Sequence, residues 1–242
     1  NKIYFFIFVS SFFNISVNFN IYMKNLKTIL LLIFIFSSCI NTKIKEEYYD
    51  NGQLKSVGEY VDDKKEREWK YYHENGHLEA IGNFVDDKQE GEWKMYHENG
   101  QLKQIGNYVN DKGEGERKVY YENGQLKSVG SLINDKKEGK FKTYFANGQL
   151  EQTGSFVNDL AEGEWKIYHE NGQLEEIGNI VNDKYEGEWK TYHKNGKLRR
   201  IGNYVDAKKE GEWKRYYDNG QLGNIGNYVN DLAEGEWKVY YE

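Results

Sequence analysis

The stretch YHENGQLEEIGNIVNDKYEGEWKTYHKNG, Tyr168–Gly196, begins and ends on nearly the same words. Its two Asn-Gly pairs stand 24 residues apart, and the pair recurs at Asn51, Asn75, Asn99, Asn123, Asn147, Asn171, Asn195 and Asn219, always at that interval. A Leu follows each pair, as at Leu54, Leu78 and Leu174, and a second Gly recurs at Gly58, Gly82, Gly106, Gly130, Gly154, Gly178, Gly202 and Gly226. All six tryptophans share one slot: Trp69, Trp93, Trp165, Trp189, Trp213 and Trp237. Arg117 and Phe141 hold that slot in the two middle repeats. A fixed period in this range marks a repeat architecture, in which each unit needs its neighbours to bury a core.

Asn-Gly between strand-like runs predicts a two-residue type I′ hairpin, because both residues tolerate positive φ. With Asn75-Gly76 as the central pair, His73 faces Leu78, Tyr71 faces Ala80 and Trp69 faces Gly82. Each Trp then lies over a strand Gly, which explains both residues, since an indole covers the backbone that Gly leaves bare. On this register Trp165 covers Gly178, Trp189 covers Gly202 and Trp93 covers Gly106. The second connection, Val181–Trp189, reads as a longer turn closed by Gly187 in a left-handed conformation.

The fold expected is all-β: an elongated, twisted antiparallel β-meander of about eight 24-residue β-hairpin repeats, preceded by an N-terminal apolar signal segment. The Trp side of the sheet is expected to be the more covered and concave face. Composition agrees. The chain of 242 residues is 16% aromatic, with 25 Gly and no Pro, a balance that favours strands and turns. The formal charge is −6, and all 39 acidic residues follow the only cysteine, Cys39, while Lys2, Lys24 and Lys27 precede it. An acidic body argues against nucleic acid, and a single cysteine excludes an internal disulfide.

The front end reads separately. Residues 1–22 are Phe-, Ile- and Asn-rich and look like an upstream extension or an apolar segment. Met23 opens a second start: Lys24 and Lys27 precede the apolar run Thr28–Phe36, and Ser37-Ser38-Cys39 ends it. Residues 23–38 therefore resemble a signal peptide of the lipoprotein type, with Phe36 where Leu is commoner. Cys39 would carry the acyl chains, and several chains together hold a protein firmly on a membrane. Residues 39–47 form a tether and residues 48–242 the repeat array. A plain secretory signal or an uncleaved anchor, with a stray cysteine, is the alternative.

The recurring Y-x-x-N-G-Q-L-x-x-x-G-x-Y-V-N-D-K-x-E-G-E-W-K resembles the bacterial MORN-repeat variant, the type collected as the YwqK antitoxin family. The resemblance covers Tyr48–Glu242, with Gly163–Tyr168 and Asn171–Leu174 as close matches. It implies a run of β-hairpins used as a binding or scaffolding surface, and it attaches an antitoxin label to relatives.

Chemistry-bearing residues read as structure. His73, His97, His169 and His193 share a slot with Tyr49, Tyr121, Phe145 and Tyr217, which asks for a flat ring rather than a metal ligand. The acid pairs of EGE, such as Glu186 and Glu188, recur in most repeats, whereas an active site is usually single. No catalysis, cofactor or metal is expected. The tryptophans and Gly82, Gly106, Gly178 and Gly202 are the expected structural positions. The slot that varies holds Tyr71, Met95, Val119, Thr143, Ile167, Thr191, Arg215 and Val239, and Tyr71, Met95, Ile167 and Arg215 are the candidate partner-reading residues. The expected function is a non-catalytic scaffold, lipid-anchored in the bacterial cell envelope, that presents this surface to a protein partner. One alternative is a glycan or lipid-surface binding module. Another is an antitoxin or immunity partner, cytoplasmic if the signal is not used.

Overall fold

The computed structural model describes residues 41–241. Residues 1–22, the signal segment 23–38 and Cys39 lie outside them. The described chain forms seventeen antiparallel strands in one open sheet, from β1 (Thr42–Tyr48) to β17 (Leu232–Val239). From Lys64 onward every residue-level register joins a strand to its neighbour in sequence, so the sheet is a meander. Residues expected to act as a tether, Thr42–Glu47, are already strand. Among the described residues, 41–43 and 60–64 group as one unit and 44–59 with 65–241 as the other. In the first, Asp62 donates its amide to the carbonyl of Asn41 at 3.0 Å, and Lys43 pairs with Asp63 at 3.9 Å.

The second unit carries the repeats, and the strands β11 (Leu160–Tyr168), β12 (Leu174–Val181) and β13 (Lys184–Tyr192) show its design. Trp165 faces Gly178 and Ile167 faces Glu176, as the Asn-Gly ruler requires. The same holds for Trp69 with Gly82 and Tyr71 with Ala80.

The two turns, however, exchange the roles expected of them. At the Asn-Gly connection, Gly172 donates its amide to the His169 carbonyl at 2.8 Å and His169 donates to the Gln173 carbonyl at 2.8 Å. Gly172 has φ of +82°, whereas Asn171 stays out of the left-handed region. This is a type I turn closed by a left-handed Gly, the three-residue hairpin with a glycine bulge. The extra residue moves the last pair: Tyr72, not His73, faces Leu78. At the other connection Val181 faces Lys184 directly, and Asn182 and Asp183 have φ of +49° and +64°. That is the two-residue turn with both central residues left-handed, a conformation Asn and Asp tolerate better than other side chains. Gly187 is left-handed at +71°, but as a bulge inside β13 rather than as the end of a turn.

The bulge decides the core. Asn179 faces Glu186 and Ile177 faces Lys190, so three residues of β13 span the single Gly178 of β12. Trp189 drops its indole into that gap. A Cβ on Gly178 would lie 2.1 Å from the Trp189 ring, so no side chain fits there. The expected coupling of Trp to Gly is right in type but one strand off. Trp189 lies over Gly178 rather than Gly202, Trp165 over Gly154 and Trp93 over Gly82. The indole N–H of Trp189 donates to the carbonyl of Asn179 at 3.1 Å. Trp189 and Trp69 are each 2% exposed. Burying an aromatic ring of this size contributes on the order of 4 kcal/mol.

Candidate functional site

Hydrogen bonds along both turn edges lock each repeat to the next. At the Asn-Gly edge the amide of Asn75 donates to the carbonyl of Glu98 at 2.9 Å, and that of Asn195 to Asp218 at 2.8 Å. The ring slot beside it does the same. Tyr121 donates its hydroxyl to the Tyr144 carbonyl at 2.7 Å, and His193 Nε2 lies 2.9 Å from the Tyr216 carbonyl. A carbonyl only accepts, so His193 must carry its proton on Nε2. The slot wants a flat ring with a donor at its tip, which is why His and Tyr interchange. Phe145 has the ring without the donor.

At the other edge Asp183 accepts the Ala161 amide on Oδ1 at 2.6 Å and returns its own amide to the Ala161 carbonyl at 3.2 Å. Ala207 stands in the corresponding place of the next repeat. It keeps the bond from its amide to the Tyr185 carbonyl at 3.0 Å but offers no carboxylate. The acid pairs of EGE are likewise occupied. Glu186 accepts the Asp206 amide at 3.0 Å, and Glu188 pairs with Lys190 at 2.5 Å. The same Glu–Lys pairing recurs at Glu68–Lys70, Glu92–Lys94 and Glu212–Lys214, and the carboxylate raises each lysine's pKa by accepting its hydrogen bond. These pairs sit on alternate residues of one strand and so share the face away from the tryptophans.

The aromatic face has a fixed floor and a variable top. Rings from successive strands meet edge to face: Trp69, Phe84 and Trp93 at 6.1 and 5.1 Å, then Tyr204, Trp213, Tyr228 and Trp237 at 5.1, 6.2 and 5.2 Å. Such contacts suit the ring quadrupoles. Over this floor the candidate residues form one row. Tyr71 faces Ala80 and Ala80 faces Met95. Met95 faces Gln104, and Gln104 faces Val119. The row continues through Ile167, Glu176, Thr191, Arg200 and Arg215 to Asn224 and Val239. Sequence comparison between repeats found one half of this row, the slot of Tyr71. The other half, Ala80, Gln104, Glu176 and Arg200, varies as freely but lies nine residues further on, visible only once the register is fixed.

The candidates differ in freedom. Tyr71 is held: its ring stacks on Trp69 at 6.1 Å, and Lys65 Nζ donates to its hydroxyl at 3.0 Å. Met95 and Ile167 are half-buried, and Arg215 is exposed. A second variable slot went unread in the sequence: Lys65, Lys137, Tyr185 and Lys209 close over the floor. Lys209 Nζ stands 4.8 Å above the Tyr228 ring, and Tyr185 packs 4.1 Å from Trp189. Its burial raises the Tyr185 hydroxyl pKa. Glu176, half-buried in the row, is raised by desolvation and then by neighbouring Glu175.

No curated protein matches the chain. It aligns over 83% of its length with 13% of a chain in the crystal structure of TcdB2-TccC3-Cdc42, at 13% identity and a TM-score of 0.23. It aligns over 83% with 13% of a chain in that of TcdB2-TccC3, at 14% identity and a TM-score of 0.22. Similarities at that level carry no argument about fold or function. The MORN repeat variant, by contrast, matches eight successive segments: residues 42–62, 67–86, 89–110, 113–134, 137–158, 161–182, 185–206 and 209–230. Each segment holds one Asn-Gly pair of the 24-residue frame derived above, and the chain belongs to the MORN repeat variant family.

Proposed function

We propose that this protein is a non-catalytic scaffold of the bacterial cell envelope that docks a partner protein on its aromatic face. The observation that carries the reading is the variable row from Tyr71 to Val239, aligned strand by strand on the face of a mostly aromatic floor that is broken at Arg117. A surface whose support is largely one kind of packed ring and whose top residues change is suited to reading a partner. The tether in this reading is an acylated Cys39. A toxin as the docked protein would give the antitoxin-type role on the same surface.

The glycan alternative needs rings free to stack on a sugar. Trp69, Trp93, Trp189 and Trp213 are 2%, 3%, 2% and 7% exposed, so their faces are already taken by protein.

Two measurements test the proposal. Acyl labelling with cell fractionation should place the wild type in the membrane fraction and leave Cys39→Ala unlabelled and soluble. A soluble, unlabelled wild type would remove the envelope tether. A photo-crosslinker at Met95 or Ile167 should capture a defined protein that one at Lys94 or Lys166, on the opposite face, does not. Equal capture from both faces would sink the docking reading.

A further inference from the structure

One segment of the row departs from the rest. Arg200 faces Arg215 directly across β14 (Leu198–Val205) and β15 (Lys208–Tyr216). Like charges directly opposite on a sheet repel and destabilise it. The same positions elsewhere hold Ala80 with Met95, Gln104 with Val119, Ser128 with Thr143, Gln152 with Ile167 and Asn224 with Val239. The pair is thus an exception in an acidic chain, and three of the chain's five arginines fall between residues 199 and 215.

Arg200 and Arg215 both line a cleft of about 230 Å³ whose walls include Lys209, Trp213, Tyr228 and Trp237. Lys209 Nζ lies over two of those rings, 5.2 Å from Trp213 and 4.8 Å from Tyr228. Arg200 and Arg215 are both exposed. Six lysines of the stripe on the other face, from Lys70 to Lys214, each pair with a carboxylate; among the described residues no carboxylate forms an ion pair with either of these two arginines. Asn224, the next residue of the row, adds a neutral amide to the rim.

We infer that this cleft binds a carboxylate side chain of an acidic, otherwise apolar peptide segment of the docked partner, with Arg200 and Arg215 forking onto one anion and the ring walls covering the residue beside it. Opposed residues on a sheet have Cβ atoms about 5 Å apart, within reach for two long arginine side chains to meet on one anion. A planar guanidinium matches a carboxylate in geometry, and such charge-assisted bonds are the stronger kind. A carboxylate is favoured over a phosphate dianion because three rings line the cleft beside the arginines, and a doubly charged, strongly hydrated group loses more on entering an apolar-walled site than a carboxylate on an apolar segment does. A peptide is favoured over a small acid because the row runs on from the cleft to the apolar Ile167 and Val119. The inference rests on the docking reading above and names the chemistry of its partner.

The test uses the full chain and a fluorescent synthetic peptide of alternating Glu and Val, with a Gln-for-Glu peptide as control. The wild type should bind the acidic peptide, and the double substitution Arg200→Gln, Arg215→Gln should weaken binding about tenfold or more. The same variant should melt at the same or a higher temperature, because it removes a like-charge pair. Unfolding is therefore separated from loss of binding. Lys70→Gln, on the other face, should leave binding unchanged. Failure of the wild type to bind, equal binding of the Gln peptide, or full binding by the double variant overturns the inference. Tighter binding of inorganic phosphate than of the peptide overturns it in favour of a phosphate ligand. Crosslinked capture at Met95 that survives Arg200→Gln, Arg215→Gln keeps the docking surface and discards only this cleft.

Discussion

The repeats around Trp189 and around Arg117 are built to one plan, and what holds the tryptophan slot separates them most clearly. In the first, Trp189 fills the space over Gly178, and the register skips that glycine. In the second, Arg117 stands in the Trp slot, and β6 (Leu102–Val109) closes up on β7 (Lys112–Tyr120) so that Gly106 faces Arg117 directly. Phe141 behaves like Trp: its ring lies over Gly130, which is again skipped. The gap over the glycine therefore opens for a ring and shuts without one, while the left-handed bulge residue stays the same, Gly115 at +75° against Gly187 at +71°. The backbone supplies the possibility of a gap, and an aromatic side chain holds it open.

The largest expected effect tests this directly. Gly178→Ala puts a methyl 2.1 Å from the Trp189 ring, whereas Gly106→Ala comes no nearer to any atom than 3.3 Å, at the flexible Arg117 Cγ. The first should lose about 3 kcal/mol in denaturant unfolding, the usual scale of overpacking, and the second about 1 kcal/mol or less. Equal losses would mean that the indole does not set the glycine.

Two smaller changes repair ladders that single repeats lack. Phe145→Tyr would supply the donor that Tyr121 supplies one repeat earlier, with the carbonyl of Tyr168 as acceptor. A gain of about 1 kcal/mol is expected in thermal or denaturant unfolding, the net value of one such bond. Ala207→Asp would add the carboxylate that Asp183 offers to Ala161 and would ease a φ of +65° that Ala adopts at a cost. A gain of about 1 kcal/mol is expected here also. If either substitution lowers the midpoint, the ladder at that edge does not couple the repeats.

The smallest effect is one of pH. Burial raises the pKa of Glu176, so the folded chain favours its protonated form. Its contribution is most favourable below the ordinary carboxylate pKa and is lost as pH rises through the raised value. Glu176→Gln should therefore raise the melting temperature modestly at pH 7 and leave it unchanged near pH 3.5. A gain that persists in acid would point to a cause other than the charge.

The repeat frame was legible because a period of 24 residues without insertion fixes every slot once one is placed. The facing of Trp165 with Gly178 followed by counting outward from Asn171-Gly172. The candidate row followed in half, since variation can be compared only within a slot. Its other half, and with it the pair Arg200 and Arg215, required the strand pairing. The lid slot of Lys65, Tyr185 and Lys209 went unread because Lys and Tyr on a strand are equally at home in solvent. Only the rings beneath show that they are seated.

The sequence by itself determined an all-β meander, its period, the strands, and the partnership of tryptophan with glycine. It did not determine which of its two connections is the tight one. Asn-Gly and Asn-Asp both accept positive φ, so local propensity allows either turn at either place. The neighbouring repeat decides. Asn171 turns its amide out to the carbonyl of Lys194, 23 residues on, at 2.8 Å. Asp183 turns its carboxylate back to Ala161, 22 residues before it, at 2.6 Å. Which glycine lies beneath each indole was likewise settled outside the hairpin. The bulge at Gly187 opens space toward β12 and none toward β14, and a large apolar ring goes where water would otherwise be trapped against bare backbone.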